Sequence, residues 1–403
     1  MNYLISAYSV NPYKGSEDSI GWNWVLQHEK NWKPGDRIVL LTKKYNEEDT
    51  KRGLKEFGIK HIELVIVDVP LWLNWFREKH SMFHHMYYIL WQHWAWMWVK
   101  HSGIRFDVIH HVTMNDYRIT SEMYKLKTAK VIWGPVGGAQ VTPEALKVYE
   151  KNKTAALFRE WVNRSCSWNP FYRKAVRSYY KIYCINEETR GQLEQIIGRK
   201  LELLPELALA DQFKNIAVKK RQNEVPQIVF VGRLIGKKGI SFLIDALRMI
   251  PADIQWELKI FGDGDDRDLV TEKIKQSGLS DKIKMMGSRP MNQIAEAYQN
   301  VDVFVLPSLR ETSGNVLLEA MAYAIPIVSF NTSFCSELAK HQCGIFINTN
   351  QPLEAIQKDY ANAIVTLIQD KTLGEQLGQN GYGYVNSELS WDEKFQTIYK
   401  SLE

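Results

Sequence analysis

Glu311-Thr-Ser-Gly-Asn-Val-Leu-Leu-Glu319 sets two carboxylates eight positions apart, with Ser313, Gly314 and Asn315 between them. Before it runs Val303-Phe-Val-Leu-Pro307-Ser308, an unbroken apolar stretch of the kind a strand buried on both faces requires. After it, Val316–Ala324 reads as a helix. Glu311 therefore falls on a strand-to-helix loop, and Glu319 sits about two turns into the helix. Small residues at such a turn leave backbone N–H groups bare, and a helix N-terminus favours phosphate and other electron-rich groups. Strand, loop and helix in this order are the unit from which doubly wound α/β domains are built.

The same alternation runs through most of the chain. Leu4–Tyr8, Arg37–Thr42, Ile62–Val67, Val108–His111 and Lys130–Trp133 read as strands of a first domain, finished by Tyr180–Ile185 and Leu201–Leu204. A second series reads as strands at Ile228–Val231, Glu257–Phe261, Lys282–Met286, Val303–Leu306, Ile327–Phe330 and Gly344–Ile347, with helices between them. The polar stretch Ala210–Pro226 separates the two series. The expected organisation is a first domain at 1–205, a linker at 206–226, a second domain at 227–385 and a C-terminal helix at 386–403 that packs back on the first domain.

Composition narrows the class. The 403 residues suit two domains, and 45% hydrophobic content supports real cores. A net charge of +5 is too mild to argue for nucleic acid. Cys166, Cys184, Cys335 and Cys343 are widely spaced, which fits a reducing compartment and no zinc site. Met1–Tyr8 reads as a first strand, not as a signal peptide. No run of about 18 apolar residues predicts a spanning helix.

Three further motifs accompany the double-carboxylate stretch: Val229-Phe-Val-Gly232-Arg233-Leu followed by Lys237-Lys238-Gly239, Lys259-Ile-Phe-Gly262-Asp263-Gly264, and Glu319-Ala-Met-Ala-Tyr-Ala-Ile-Pro326. This ordered series, over roughly residues 225–350, resembles the nucleotide-sugar half of the family 4 retaining glycosyltransferases of GT-B fold. The resemblance implies an α/β chain of two facing Rossmann-like, doubly wound domains with an inter-domain cleft. It implies transfer of a sugar from a nucleotide-diphosphate donor to a hydroxyl acceptor, without metal. In that picture Arg233, just after a strand, and Lys238, opening a helix, neutralise the leaving diphosphate, and Glu311 touches the donor sugar. Gly232 belongs to the same loop, and the backbone of Thr312, Ser313, Gly314, Asn315 and Val316 holds sugar and phosphate. Glu319 binds the ribose, Gly262 and Gly264 flank the nucleotide, and Arg289 lies where the base is held. A UDP-sugar is the favoured donor and a GDP-sugar the second choice, with no other cofactor. Asp263-Gly264-Asp265 spells D-x-D but falls in a turn of this half, and it is read as a surface loop. Two departures stand out: Ala324 replaces the family's usual glycine, and Pro205-Glu-Leu-Ala208 replaces its usual inter-domain sequence.

In the first half, Gly15, Ser16 and Glu17 follow the first strand and resemble the family's glycine loop in a G-S-E variant. Gly15 and Ser16 are assigned to the donor, Glu17 to the acceptor. Asp107-Val-Ile-His110-His111 ends another strand where the family often carries a His-x-His whose histidine contacts the sugar near the reacting carbon. Side chains alternate on a strand, so one of the two faces the cleft; His110 is preferred over His111. Gly137 and Gly138 are assigned to the acceptor, while nothing fixes the direction of Asp116 or Arg118.

Two segments mix aromatic and basic residues: the Trp-rich stretch 72–98 and the basic stretch 158–181. Trp and Tyr favour interfaces, and neighbouring cations favour anionic lipid. They are read either as peripheral docking on an inner membrane face beside a lipid-linked saccharide acceptor, or as core or oligomer packing. The expected location is cytoplasmic or peripheral on that face. The alternative function is a non-catalytic scaffold or partner subunit of a polysaccharide or protein-glycosylation complex.

Overall fold

The computed structural model describes residues 1–15, 17–70, 84–218, 221, 223–312 and 314–402. The chain forms two compact units. The first gathers residues 1–139, 161–206 and 391–403; the second gathers 140–160 and 207–390.

Among the described residues, the first unit holds a parallel sheet of β1 (Asn2–Ser6), β2 (Arg37–Thr42), β3 (Ile62–Ile66), β4 (Val108–His111), β5 (Lys130–Val136), β6 (Lys181–Cys184) and β7 (Glu202–Leu203), in the order β3-β2-β1-β4-β5-β6-β7. The second holds β8 (Gln227–Val231), β9 (Glu257–Phe261), β10 (Ile283–Gly287), β11 (Val303–Leu306), β12 (Ile327–Phe330) and β13 (Gly344–Ile347), in the order β10-β9-β8-β11-β12-β13. Each sheet winds outward from its first strand and then reverses, so each has one switch point, between β1 and β4 and between β8 and β11. In an open parallel sheet, ligands collect beyond the strand ends at that place.

The central strands form because they are buried on both faces. All four residues of β11 are buried, as are all four of β12. Each fully buried Val, Leu or Phe contributes about 1.5–3 kcal/mol relative to exposure. β1 lies two residues earlier than the sequence pattern suggests, because Tyr8 turns into the core after the strand ends.

Of the Trp-rich stretch, residues 72–83 lie outside the described residues. The remainder belongs to the helix His84–His101, whose Tyr87, Tyr88, Trp91, Ala95 and Val99 are buried in the first unit's core. That face of the helix is spent on packing and offers nothing to a membrane, while Met86, Ile89 and Trp94 remain exposed.

Candidate functional site

The second unit's switch point is built by two loops. After β8, the chain passes Gly232 and Arg233 into the short 3₁₀ turn Gly236–Lys238 and then the helix Ile240–Leu247. After β11, it passes Pro307, Ser308 and Glu311 into the helix Asn315–Ala322, with Gly314 capping that helix at φ 60°. The loops touch at Gly239, whose φ is +69° and where any Cβ would run into the carbonyl oxygen of Pro307. Only glycine fits there, and its presence fixes Lys238 against the loop that carries Glu311.

Lys238 Nζ lies 2.6 Å from Glu311 Oε2, and Ser308 Oγ donates to the same oxygen at 2.8 Å. The two charged side chains are 15% and 9% exposed, so this pair is shielded from water. Arg233 is exposed beside them and makes no ion pair among the described residues. Glu319 is buried on the helix, its Oε2 accepting from Tyr298 Oη at 3.3 Å. Burial pushes its carboxyl up to about 7, and the Tyr298 hydrogen bond only partly opposes that.

The structure thus brings Gly232, Arg233, Lys238, Glu311, Thr312, Gly314, Asn315, Val316 and Glu319 onto the loops and helix of one switch point. Ser313 and Ser16 lie outside the described residues. Gly262 and Gly264 serve loop packing: a Cβ on Gly262 would strike the Gly232 carbonyl oxygen, and one on Gly264 would lie 2.5 Å from that of Leu234. Arg289 follows β10, donates from Nε to Met286 O at 3.0 Å, and lines a cavity of about 340 Å³ with Lys259, Gln293 and Glu296. Asp263 of the D-x-D triplet pairs with Arg267 at 2.7 Å. Among the described residues, no cluster of three His, Cys, Asp or Glu side chains is arranged to hold a metal ion.

In the first unit the polar residues at the strand ends are engaged internally. His110 and His111 point to opposite faces of β4, as alternation requires. His110 Nε2 contacts the Gly134 carbonyl at 2.8 Å and therefore carries the proton. Its Nδ1 then accepts from Tyr399 Oη at 2.8 Å, and Tyr399 in turn accepts from His28 Nε2 at 2.8 Å. His111 Nδ1 lies 3.0 Å from Ser6 Oγ, and its Nε2 lies 2.7 Å from Tyr88 Oη. Neither ring keeps a free nitrogen. Burial pulls His110 down to about 4 and His111 to about 3, so both are neutral at neutral pH.

Glu17 opens the helix Glu17–Lys30, and its Oε1 accepts from Met114 N at 2.9 Å, tying the β1 loop to the β4 loop. Its Oε2 has no hydrogen-bond partner among the described residues. Burial, reinforced by the nearby Glu206 and Asp18, pushes this carboxyl up to about 8. Gly15 is exposed. Gly137 exchanges backbone hydrogen bonds with Asn115 and Tyr117, and Gly138, at φ 108°, lies against the Asp116–Arg118 pair, which closes with two contacts of 2.7 Å.

Sequence reasoning passed over Ser308 and Tyr298, which set the two carboxylates, although Ser308 stands at a strand end where a side-chain donor signals a site. It also passed over Tyr399 and Lys394. Lys394 is fully buried with its Nζ on the Glu206 carbonyl, and burial pulls it down to about 7.

Residues 211–384 match the family described as glycosyl transferases group 1. The glycosyltransferase MJ1607 of Methanocaldococcus jannaschii, itself uncharacterised, is 32% identical over 172 residues, which are 42% of this chain and 43% of that protein. The chain therefore spans less than half the length of that relative. Among solved structures, the lipopolysaccharide outer core galactosyltransferase WaaB aligns over 100% of both chains with a TM-score of 0.66 and 15% identity. HepE of Anabaena, in complex with UDP, aligns over 100% of this chain and 98% of its own with a TM-score of 0.61 and 16% identity. At these identities the likeness concerns the fold, and the two parallel sheets share the two-domain Rossmann-like architecture of GT-B proteins.

Proposed function

We propose that the chain is a retaining, metal-independent glycosyltransferase. It moves a sugar from a nucleoside-diphosphate donor to a hydroxyl of a saccharide or lipid-linked saccharide. The observation that carries this reading is the Lys238–Glu311–Ser308 group at the switch point of the second sheet, with Arg233 exposed beside it. Cations fixed next to a helix N-terminus stabilise charge that develops on a departing diphosphate. Glu311, already oriented by two donors, is placed to accept from sugar hydroxyls. Glu319 accepts from the ribose once it gives up its proton.

In the reaction, the bond from the anomeric carbon to the diphosphate oxygen breaks as the acceptor oxygen bonds to that carbon on the same face. The acceptor proton passes to the departing phosphate oxygen, so no side chain need act as a strong base. The neutral, fully hydrogen-bonded His110 and His111 then hold the first unit's loops in position and exchange no proton. UDP is the favoured nucleotide, in keeping with the fold-mate HepE, and GDP the second. The scaffold reading has no comparable support, since the charged group at the switch point is intact.

Titrating UDP, GDP and ADP into the full chain by calorimetry, each with and without EDTA, tests this. One nucleotide binding in the micromolar range regardless of EDTA is the expected result. Binding abolished by EDTA removes metal independence, and binding of none removes the donor site.

Peripheral contact with an anionic membrane is a second element of the proposal. Among the described residues, no helix is long and apolar enough to cross a membrane. Trp161, Trp168 and Phe171 are 62%, 77% and 80% exposed, beside exposed Arg164, Arg173 and Lys174. Large apolar side chains mixed with cations suit the lipid interface. Sedimentation with phosphatidylserine vesicles, lost in a Trp168→Ser/Phe171→Ser variant, is the expected result; equal sedimentation of both proteins removes this element.

A further inference from the structure

Residues 140–160 follow β5 in the chain but belong to the second unit. Their anchors are specific. Tyr149 Oη donates to Asp245 Oδ2 at 2.7 Å and accepts from Gln357 Nε2 at 2.8 Å, while its ring meets Phe242 edge-on. Lys151 Nζ pairs with the buried Asp266 at 2.7 Å. Arg310 Nε stands 3.3 Å from Glu150 Oε1 without hydrogen-bonding geometry.

Beside these anchors lies a cavity of about 190 Å³ lined by Lys151, Asn152, Arg159, Lys237 and Arg310, with Glu150 as the carboxylate on its wall. Lys151 is held by Asp266 and Arg310 by Glu150, which also takes Thr142, and Lys237 brings a further cation to the same lining. Lys237 makes no ion pair among the described residues. Partial burial and the neighbouring Lys238 pull its ammonium below its ordinary range, with Arg233 and Arg310 adding to this and Glu311 opposing it. Crowding of this kind is relieved by an anion. Arginine forks match a phosphate group's oxygens. The volume is below the roughly 300–1,000 Å³ of pockets that enclose whole ligands, so it suits a single group.

The pocket is separate from the subsite of Arg233 and Lys238. Lys237 and Lys238 are successive residues of a 3₁₀ turn, where side chains are about 120° apart around the axis. With Lys238 held on Glu311, Lys237 points elsewhere.

We propose that this pocket binds one phosphate group carried by the acceptor, while the donor diphosphate occupies Arg233 and Lys238. The inference rests on the glycosyltransferase reading above. The same chemistry has two sources, the acceptor's phosphate or the donor's own diphosphate, and the test separates them.

Labelled inorganic phosphate is dialysed against the full chain with and without saturating UDP, and UDP affinity is measured in parallel. Wild type is compared with an Arg159→Gln/Lys237→Gln variant. The expected result is that phosphate and UDP bind together. The variant then weakens phosphate tenfold or more and changes UDP affinity less than twofold. If UDP displaces phosphate and the variant weakens UDP instead, the pocket belongs to the donor and the acceptor assignment falls. Equal phosphate binding by wild type and variant, or none by wild type, removes the pocket altogether. If UDP fails to bind, the donor reading falls, while the phosphate arm without nucleotide still reads the pocket.

Discussion

The two sheets are wound in the same order, yet the two units use the polar residues at their switch points differently. In the second unit, Lys238 and Glu311 hold each other on adjoining loops, and Arg233 stands exposed and unpaired among the described residues. In the first unit, His110, His111, Asp116 and Arg118 are all engaged by other residues of that unit. A shared topology therefore supplies two equivalent places for a ligand, and only the side chains show which is charged and poised.

The sharpest way to break this contrast is to mutate one residue on each side. Arg233→Ala removes an exposed cation from a loop, so thermal stability stays within about 0.5 kcal/mol, the usual range for surface changes. Turnover falls by about 10²–10³, as for loss of one preorganised donor to a developing charge. His110→Phe does the reverse. It leaves the Gly134 carbonyl without a buried partner and takes from Tyr399 Oη the acceptor of its proton, while the bond from His28 remains, for a loss of about 2–4 kcal/mol. Nucleotide affinity, which the proposal places on the other unit, stays unchanged. Melting curves and nucleotide calorimetry on the two variants measure both quantities. Normal turnover in Arg233→Ala would undo the assignment of that cation, and unchanged stability in His110→Phe would undo the structural role of the histidine.

The same contrast explains what was legible in the sequence. The strand positions follow from apolar runs, which are local patterns, and Arg233, Lys238 and Glu311 are marked by a family resemblance whose motifs are also local. The fate of His110 depends on Tyr399, 289 positions away, and no local pattern registers a partner at that distance. For the same reason the alternation of strands and helices gave no sign that residues 140–160 belong to the second unit, because their allegiance is decided by Asp245, Asp266 and Gln357. In the Trp-rich stretch composition leaves docking and core packing both open, and the burial of Trp91 goes to core packing.

A pH experiment sharpens the contrast inside the second unit. Glu319 has a folded-state value of about 7 against an ordinary 4.5, because burial disfavours its charged form. A raised value means that its contribution to stability is complete below about pH 4.5 and is lost as pH rises through about 7. At about 1.4 kcal/mol per pH unit, the span amounts to about 3 kcal/mol. Glu319→Gln should remove that slope from a plot of denaturation free energy against pH between these limits. Glu17, in the first unit, carries a slope of the same sign that extends to about pH 8 and should persist in the variant. A slope unaltered by Glu319→Gln would mean that the burial of this carboxyl has no energetic weight.

The smallest effect is expected at the position where the chain departs from the family pattern. Ala324 follows the helix Asn315–Ala322 with φ at +50°, in the left-handed region. An L-residue there costs about 1–2 kcal/mol relative to the right-handed form. The surroundings hold the conformation in place. Arg221 donates to the carbonyls of Tyr323 and Ala324, and Gly378 leaves the space that the Ala324 carbonyl fills. Glycine would adopt the same backbone without the steric cost, offset by about 0.5–1 kcal/mol of extra unfolded-state entropy. Ala324→Gly should therefore stabilise the protein by about 0.5–1 kcal/mol in a denaturant titration, with nucleotide affinity unchanged. Destabilisation instead would show that the methyl group contributes packing that outweighs the strain, and alanine at this position would then be an adaptation of the second unit's core.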